Sequence, residues 1–203
     1  MKRRIISIAC ILVVLVIYVF LVWRVNASAE TVQEQQYEMG SWLPIEDGYI
    51  IDETIEHNDG YSIRVDDAEV MSPSEFVAWY GKEGVPVQGL QGSDDTVLAV
   101  TMTIKNEGNT TGGFESFMWQ VVPESRDNSY CVDEALFAYV EDTGLSFRIK
   151  TDTEYTVTFP FTWREEPLFT PMSYSPRGRI KGDRFYLTLT VRPERKTLVF
   201  QTD

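Results

Sequence analysis

The chain has 203 residues, with 31 acidic against 18 basic side chains, one histidine and two cysteines, and a net charge of −13. That excess of acid disfavours nucleic acid as a partner, because such binding draws on a basic surface to displace counterions. Cys10 lies in an N-terminal apolar run and Cys131 stands alone after it, so no disulfide closes within the remaining chain and a disulfide-stapled secreted scaffold is excluded.

The first element is that run, Ile5 to Trp23, preceded by Lys2, Arg3 and Arg4 and closed by Arg24. As a helix rising about 1.5 Å per residue it covers about 28 Å, close to the roughly 30 Å hydrocarbon core of a bilayer. More basic residues precede the run than follow it, which predicts a cytoplasmic N-terminus and an extracellular remainder. The expected organisation is a cytoplasmic tail at 1–4, a single-pass membrane helix at 5–24, a polar stalk at 25–38 and an extracellular domain at 39–203. Ala27-Ser28-Ala29 has the small-x-small form of a signal-peptidase site; cleavage after Ala29 would release a secreted protein. The run exceeds the 7–15 apolar residues of a signal h-region, which favours an uncleaved signal anchor. Within it only Ser7 and Ala9 are small, so close helix–helix packing is poorly supported.

From residue 30 onward, 31 acidic residues face 14 basic ones, a charge that suits solubility and opposes lying flat on anionic lipid. No repeat of 20–50 residues is visible. Met39–Pro44 reads as the first ordered contact, an edge strand. Asn58-Asp59-Gly60 is a turn, after which Tyr61, Ile63 and Val65 alternate with polar residues; the apolar parity then shifts to Ala68 and Val70, which predicts a bulge at Asp66-Asp67. Ser72-Pro73-Ser74-Glu75 is a capping box with proline at the first helical position, opening a short helix with Phe76, Trp79 and Tyr80 on one face and Gly81 at its end.

Gly81–Asp95 holds four glycines and a proline and reads as a mobile loop. Strict alternation returns in Leu98–Ile104, Tyr155–Trp163 and Phe185–Val191, with threonine on the outward face. Shorter strands are expected at Phe114–Val122, Ala135–Val140, Leu145–Ile149 and Thr197–Gln201. Many strands, one short helix and about 160 residues point to a mainly β fold, an antiparallel β-sandwich.

Chemistry is sparsely signalled. There is no G-x-S-x-G elbow, and the single histidine, His57, sits in a turn where it reads as a solvated residue rather than the partner of Cys131. One histidine and one cysteine do not make a zinc site. Calcium takes oxygens, and the acidic loops supply weak candidates at Asp66, Asp67, Asp94, Asp95 and Asp127, though none follows the D-x-[DN]-x-[DN]-G pattern. Paired carboxylates of a small hydrolase form the less favoured enzymatic alternative. Phe114, Phe117 and Trp119 read as core and edge packing. Residues 177–196 reverse the charge of the body, with seven basic against two acidic residues. They are read either as neutralised by neighbouring strands or as a contact surface for an envelope protein or an anionic cell-wall polymer through Arg177, Arg179, Lys181 and Arg184.

Val97–Gly113, VLAVTMTIKNEGNTTGG, resembles a pattern of bacterial exported immunoglobulin-like domains, in which an alternating strand runs into an Asn-x-Gly-Asn turn. With Tyr37-Glu38-Met39-Gly40, Gly60-Tyr61-Ser62-Ile63, Glu75-Phe76, Gly144–Phe147 and Thr153–Val157, the chain is similar to the domain of unknown function 5028 family over about residues 37–165. The resemblance implies an immunoglobulin-like domain on a single-span exported protein of Gram-positive bacteria. It supplies no catalytic residue and no cofactor. The expected function is therefore non-enzymatic binding at the cell envelope by a membrane-anchored module, with a calcium-dependent surface module as the alternative.

Overall fold

The computed structural model describes residues 2–27, 32–54, 56–84, 96–124, 129–163 and 182–202, with side chains from residue 11 on and without that of Phe114. The chain divides into two compact units, Met1–Val32 and Gln33–Asp203.

The first unit is a single helix, α1 (Lys2–Ala27), whose 26 residues contain neither proline nor glycine. Its large apolar side chains from Ile11 to Trp23, and Val25, are each between 41 and 68 % exposed. The helix is apolar all round rather than two-faced, unlike a helix that lines a globular core. Among the described residues no helix is long and apolar enough to cross a membrane. The side chains of Ile5–Cys10 lie outside the described ones.

The second unit is mainly β. In chain order it contains β1 (Glu34–Glu38), β2 (Leu43–Pro44), β3 (Tyr61–Met71), α2 (Pro73–Tyr80), β4 (Val97–Asn106), β5 (Phe114–Glu115), a 3-10 turn (Ser116–Met118), β6 (Gln120–Pro123), β7 (Tyr130–Val132), α3 (Glu134–Phe137), β8 (Ser146–Phe147), β9 (Thr153–Trp163), β10 (Arg184–Thr190) and β11 (Arg195–Gln201). Nine strands form one sheet in the order β1-β11-β10-β6-β7-β9-β4-β3-β2, and β5 pairs with β8 apart from it.

The immunoglobulin-like sandwich expected from sequence has two facing sheets, whereas here the hydrogen bonding is continuous. The long β9 carries it across: it pairs with β4 from Thr153 to Thr162, and at its Phe161–Trp163 end also with β7. The sheet nearly closes because β1 and β2 are two parts of one short stretch. β1 runs parallel to β11; Met39 N then donates to Val199 O, Gly40 N donates to Val65 O of β3, and β2 continues antiparallel to β3. Gly40 makes the crossing at φ +81°, a conformation that glycine adopts without penalty.

The alternation read from sequence sets the core. Ile63, Val65, Leu98, Val100, Met102, Ile104, Phe159, Phe161, Phe185, Leu187 and Leu198 are fully buried on the inner face. Each such side chain contributes about 1.5–3 kcal/mol on leaving water. The register of β3 shifts between Val65 and Asp67, so Asp66 is the extra residue and Ala68 returns to the core, as the parity change predicts. Phe137 stacks on Phe159 at 5.0 Å and Trp119 meets the same ring edge-on at 5.2 Å.

On the outer face, α2 covers Val97 and Ala99 with Phe76 and Val77, joined by Met71 and Leu136. The capping box is formed: Ser72 Oγ accepts from Glu75 N, and the Glu75 carboxylate accepts from Ser72 N, which holds that carboxyl below its ordinary range.

Three local expectations differ. Ala135–Val140 is not a strand; Asp133 caps α3 by accepting from Leu136 N. Phe114–Val122 is interrupted by the 3-10 turn, which leaves Phe117 half exposed while Trp119 is buried. Glu34–Glu38, at the end of the expected stalk, is β1 of the sheet. Of the Gly81–Asp95 loop, residues 85–95 lie outside the described residues, as do Ser28 and Ala29 of the cleavage motif.

The registers fix which loops share an end. Tyr61 pairs with Asn106 and Asn106 with Thr153, so the 44–60 segment, the 106–113 turn and the 150–152 turn lie together with the start of β1 and the turn before β11. At the opposite end Met71 faces Val97, Trp163 faces Tyr130 and Arg184 faces Gln201.

Candidate functional site

The bulge places two of the calcium candidates, Asp66 and Asp67, and the nearby Glu69 on or beside the outer face of β3. Asp66 Oδ1 accepts from Arg64 Nε and Oδ2 accepts from Thr103 Oγ1, each at 2.5 Å. Thr103 and Thr101 continue into hydroxyl pairs with Thr156 and Thr158 at 2.8 and 2.9 Å. Arg64 in turn lies over the Trp42 ring at 4.5 Å, a cation–π contact. Asp67 accepts from Ala68 N, and Glu69 accepts from the Tyr80 hydroxyl at 3.2 Å. Burial first and Glu69 second raise the Tyr80 pKa, so that phenol stays a donor.

Each carboxylate is therefore turned to a different partner. Among the described residues no three His, Cys, Asp or Glu side chains come together to hold a metal ion. Asp94, Asp95 and Asp127 lie outside the described residues.

His57 sits exposed at the end of the sheet where the 44–60 segment and the 106–113 turn meet. With Asp59, Gly60, Glu107, Gly108, Asn109, Thr110 and Thr111 it lines an open polar cavity of about 350 Å³. The cavity is shaped by Asn109. Its amide Nδ2 donates to His57 O at 2.9 Å and Asp59 O at 2.7 Å, and its Oδ1 accepts from Thr111 N and Gly112 N. The buried Asn106 holds Asn109 from behind, accepting from its N–H and donating to its carbonyl.

Gly60 and Gly112 are required by this close approach: a Cβ at Gly112 would lie 1.6 Å from His57 O, and one at Gly60 2.5 Å from Glu107 O. The Asn-x-Gly-Asn signal thus marks a loop lock, and the amide of the Asn109-Thr110-Thr111 sequon is already used inside it.

No His57–Cys131 dyad forms. Thr153 marks the His57 end of β9 and Thr162 pairs with Cys131, nine residues further along an extended strand, or about 30 Å.

Of the four basic residues singled out, Arg184 is described, while Arg177, Arg179 and Lys181 lie outside the described residues. Arg184 donates to Glu38 at 2.7 Å across β11, and its guanidinium stands 5.8 Å from the Tyr186 ring. Lys196 is 2 % exposed on the same face of β11 as core residues Leu198 and Phe200. Its ammonium donates to Pro44 O at 2.9 Å, to Ile45 O at 3.3 Å and to the Glu46 carboxylate. Glu46 adopts φ +56° to present that carboxylate. In the sequence Lys196 is only one of the seven basic residues of 177–196; its place just before the apolar Leu198-Val199-Phe200 run was the available sign of burial.

Two tyrosines are strongly protonated. Burial, then the charge of Asp183, pushes Tyr130 up to about 12; burial, then a hydrogen bond with Glu141, raises Tyr155.

The family described as "Domain of unknown function (DUF5028)" matches residues 34–196. The chain belongs to that family. The match starts at β1 and reaches Lys196, so the closing stretch and its buried lysine are both inside it. No curated protein and no solved structure matches the chain.

Proposed function

We propose that this DUF5028 protein is a membrane-anchored, extracytoplasmic β module that acts at the cell envelope by binding rather than by catalysis. One observation carries the reading: α1 forms a unit separate from the sheet domain, and its described apolar side chains are exposed on every face. Such a helix is costly in water and at home in a bilayer. The basic N-terminal flank orients the sheet domain outward, as in exported single-span proteins of Gram-positive bacteria.

Asp66 and the threonines of β4 and β9 bond to one another and to Arg64, which suits a rigid scaffold that displays surfaces. Arg177, Arg179 and Lys181 are the contact we assign to an anionic wall polymer or an envelope protein, since Arg184 is paired with Glu38 and Lys196 is buried.

The test places lysine in the helix. Leu15→Lys with Val16→Lys should move the full chain from washed membranes to the soluble fraction, while the unsubstituted chain stays with the membrane. Membrane retention of the double variant, or release of the unsubstituted chain, sinks the anchor reading. Charge reversal at Arg177, Arg179 and Lys181 should lower retention on purified wall material; unchanged retention removes that segment as the contact.

A further inference from the structure

We infer that β1 and β11 form a mechanical clamp that lets the sheet domain bear tension along the chain leading to α1. The inference rests on the anchored reading for the source of the load, and on geometry for everything else.

Among the described residues β1–β11 is the one parallel strand pair; the other strand pairs are antiparallel. Tension from the α1 side reaches the sheet at Gln33, the first residue of its unit. There Arg195 N donates to Gln33 O at 2.8 Å, and the ladder continues from Glu34↔Arg195 to Glu38↔Val199. Beyond it Met39 N donates to Val199 O at 2.8 Å. When the opposing load is held at the far end of β11, near Gln201, a pull on Gln33 acts along the axis of β1, so these bonds, which lie across the strands, must fail together instead of one at a time. In an antiparallel pair opened from its joined end they would yield singly.

Side chains reinforce the pair. Gln35 donates to Glu194 in the turn before β11, Tyr37 donates to Gln35 at 2.7 Å, and Glu38 accepts from Arg184 on the far side of β11. The last link spans three strands, so sliding β1 also works against β10. Lys196 bonds the carbonyl of Pro44 at the end of β2 and that of Ile45 after it, which holds the other half of the closing stretch to the same strand. Rupture under force follows the barrier to unfolding, and every one of these links acts on that barrier.

The test is single-molecule force spectroscopy on the full chain in detergent micelles, with Cys10→Ala and Cys131→Ala and with cysteine handles at two chosen sites. Handles at Val32 and Gln201 load β1 against β11 lengthwise. Handles at Glu124 and Gln201, exposed residues at one end of β6 and β11, peel the sheet open. The lengthwise rupture force should be severalfold higher than the peeling force, and Gln35→Ala with Glu38→Ala should lower the former and leave the latter unchanged. Equal forces in the two directions, or a lengthwise force untouched by the double variant, overturn the clamp. Both geometries use the same folded protein, so a folding failure lowers both and is recognised. The comparison does not depend on where the chain resides in the cell, so it is distinct from a failure of the anchor reading.

Discussion

Replacing Lys196 by methionine sets two effects against each other. The ammonium is nearly sequestered, its side chain 3 % exposed, and donates to Pro44 O, Ile45 O and Glu46. Taking a charge out of water is costly, and replacing a buried ion by a hydrophobic group of like size is in some proteins neutral or stabilising. Against that, two of the three acceptors are backbone carbonyls that remain after the substitution and lose a charged donor, worth about 1.5–3 kcal/mol per bond. The third, Glu46, is 64 % exposed and gains little on being freed.

The carbonyl losses should win, giving Lys196→Met a net cost of about 3 kcal/mol. For a domain of this size that lowers Tm by about 6–12 °C. Glu46→Gln keeps an acceptor at an exposed position and should cost about 1 kcal/mol or less. Thermal melts of the full-length variants, followed by near-ultraviolet circular dichroism, measure both. A Lys196→Met protein as stable as the unsubstituted chain would refute the reasoning, because desolvation of the ammonium would then outweigh its bonds.

Asn109→Ala removes two hydrogen bonds between the two loops and two within its own turn, and should cost about 2–4 kcal/mol in urea unfolding, with Asn109→Asp retaining part of it through Oδ1; a cost under about 0.5 kcal/mol would show that the loops hold without the amide. Tyr130 titrates at about 12 in the fold against an ordinary 10, so the folded state holds its proton more tightly. That contribution is whole below pH 10 and is lost as pH rises toward 12; Tyr130→Phe should flatten this alkaline loss, and an unchanged slope counts against burial as its cause. Calcium in excess should leave Tm where a chelator puts it, since the described carboxylates face separate partners; a gain near 2.7 kcal/mol, expected at one hundred times a dissociation constant, would reinstate the calcium-dependent module.

Much of the strand content was legible, because half-buried strands write their burial into sequence with a period of two. Tyr61–Val65 and Phe185–Leu189 show it plainly, and the parity change after Val65 located the bulge at Asp66. The capping box at Ser72 was readable for the same reason: its residues bond locally. β1 was hidden because EQQYE has one apolar residue and joins β11 through its backbone, a pairing no side-chain pattern reports. The continuous sheet was hidden for a related reason, since alternation gives the face of a strand but not its neighbours.

The candidate site was only partly legible. Asp66, Asp67 and Glu69 are neighbours in sequence, yet a bulge and three different partners turn their carboxylates apart. Lys196 and Glu46 lie 150 residues apart and meet only when the sheet closes.

In the proposed anchoring, α1 holds the sheet domain outside the cell. External protease applied to intact cells, followed by blotting for the domain and for the N-terminal residues 1–27, tests it most directly. The account requires loss of the full-length chain, with a membrane-bound N-terminal fragment left behind. A domain that stays intact until the cells are opened, or one found in the medium beginning at Glu30, would contradict it.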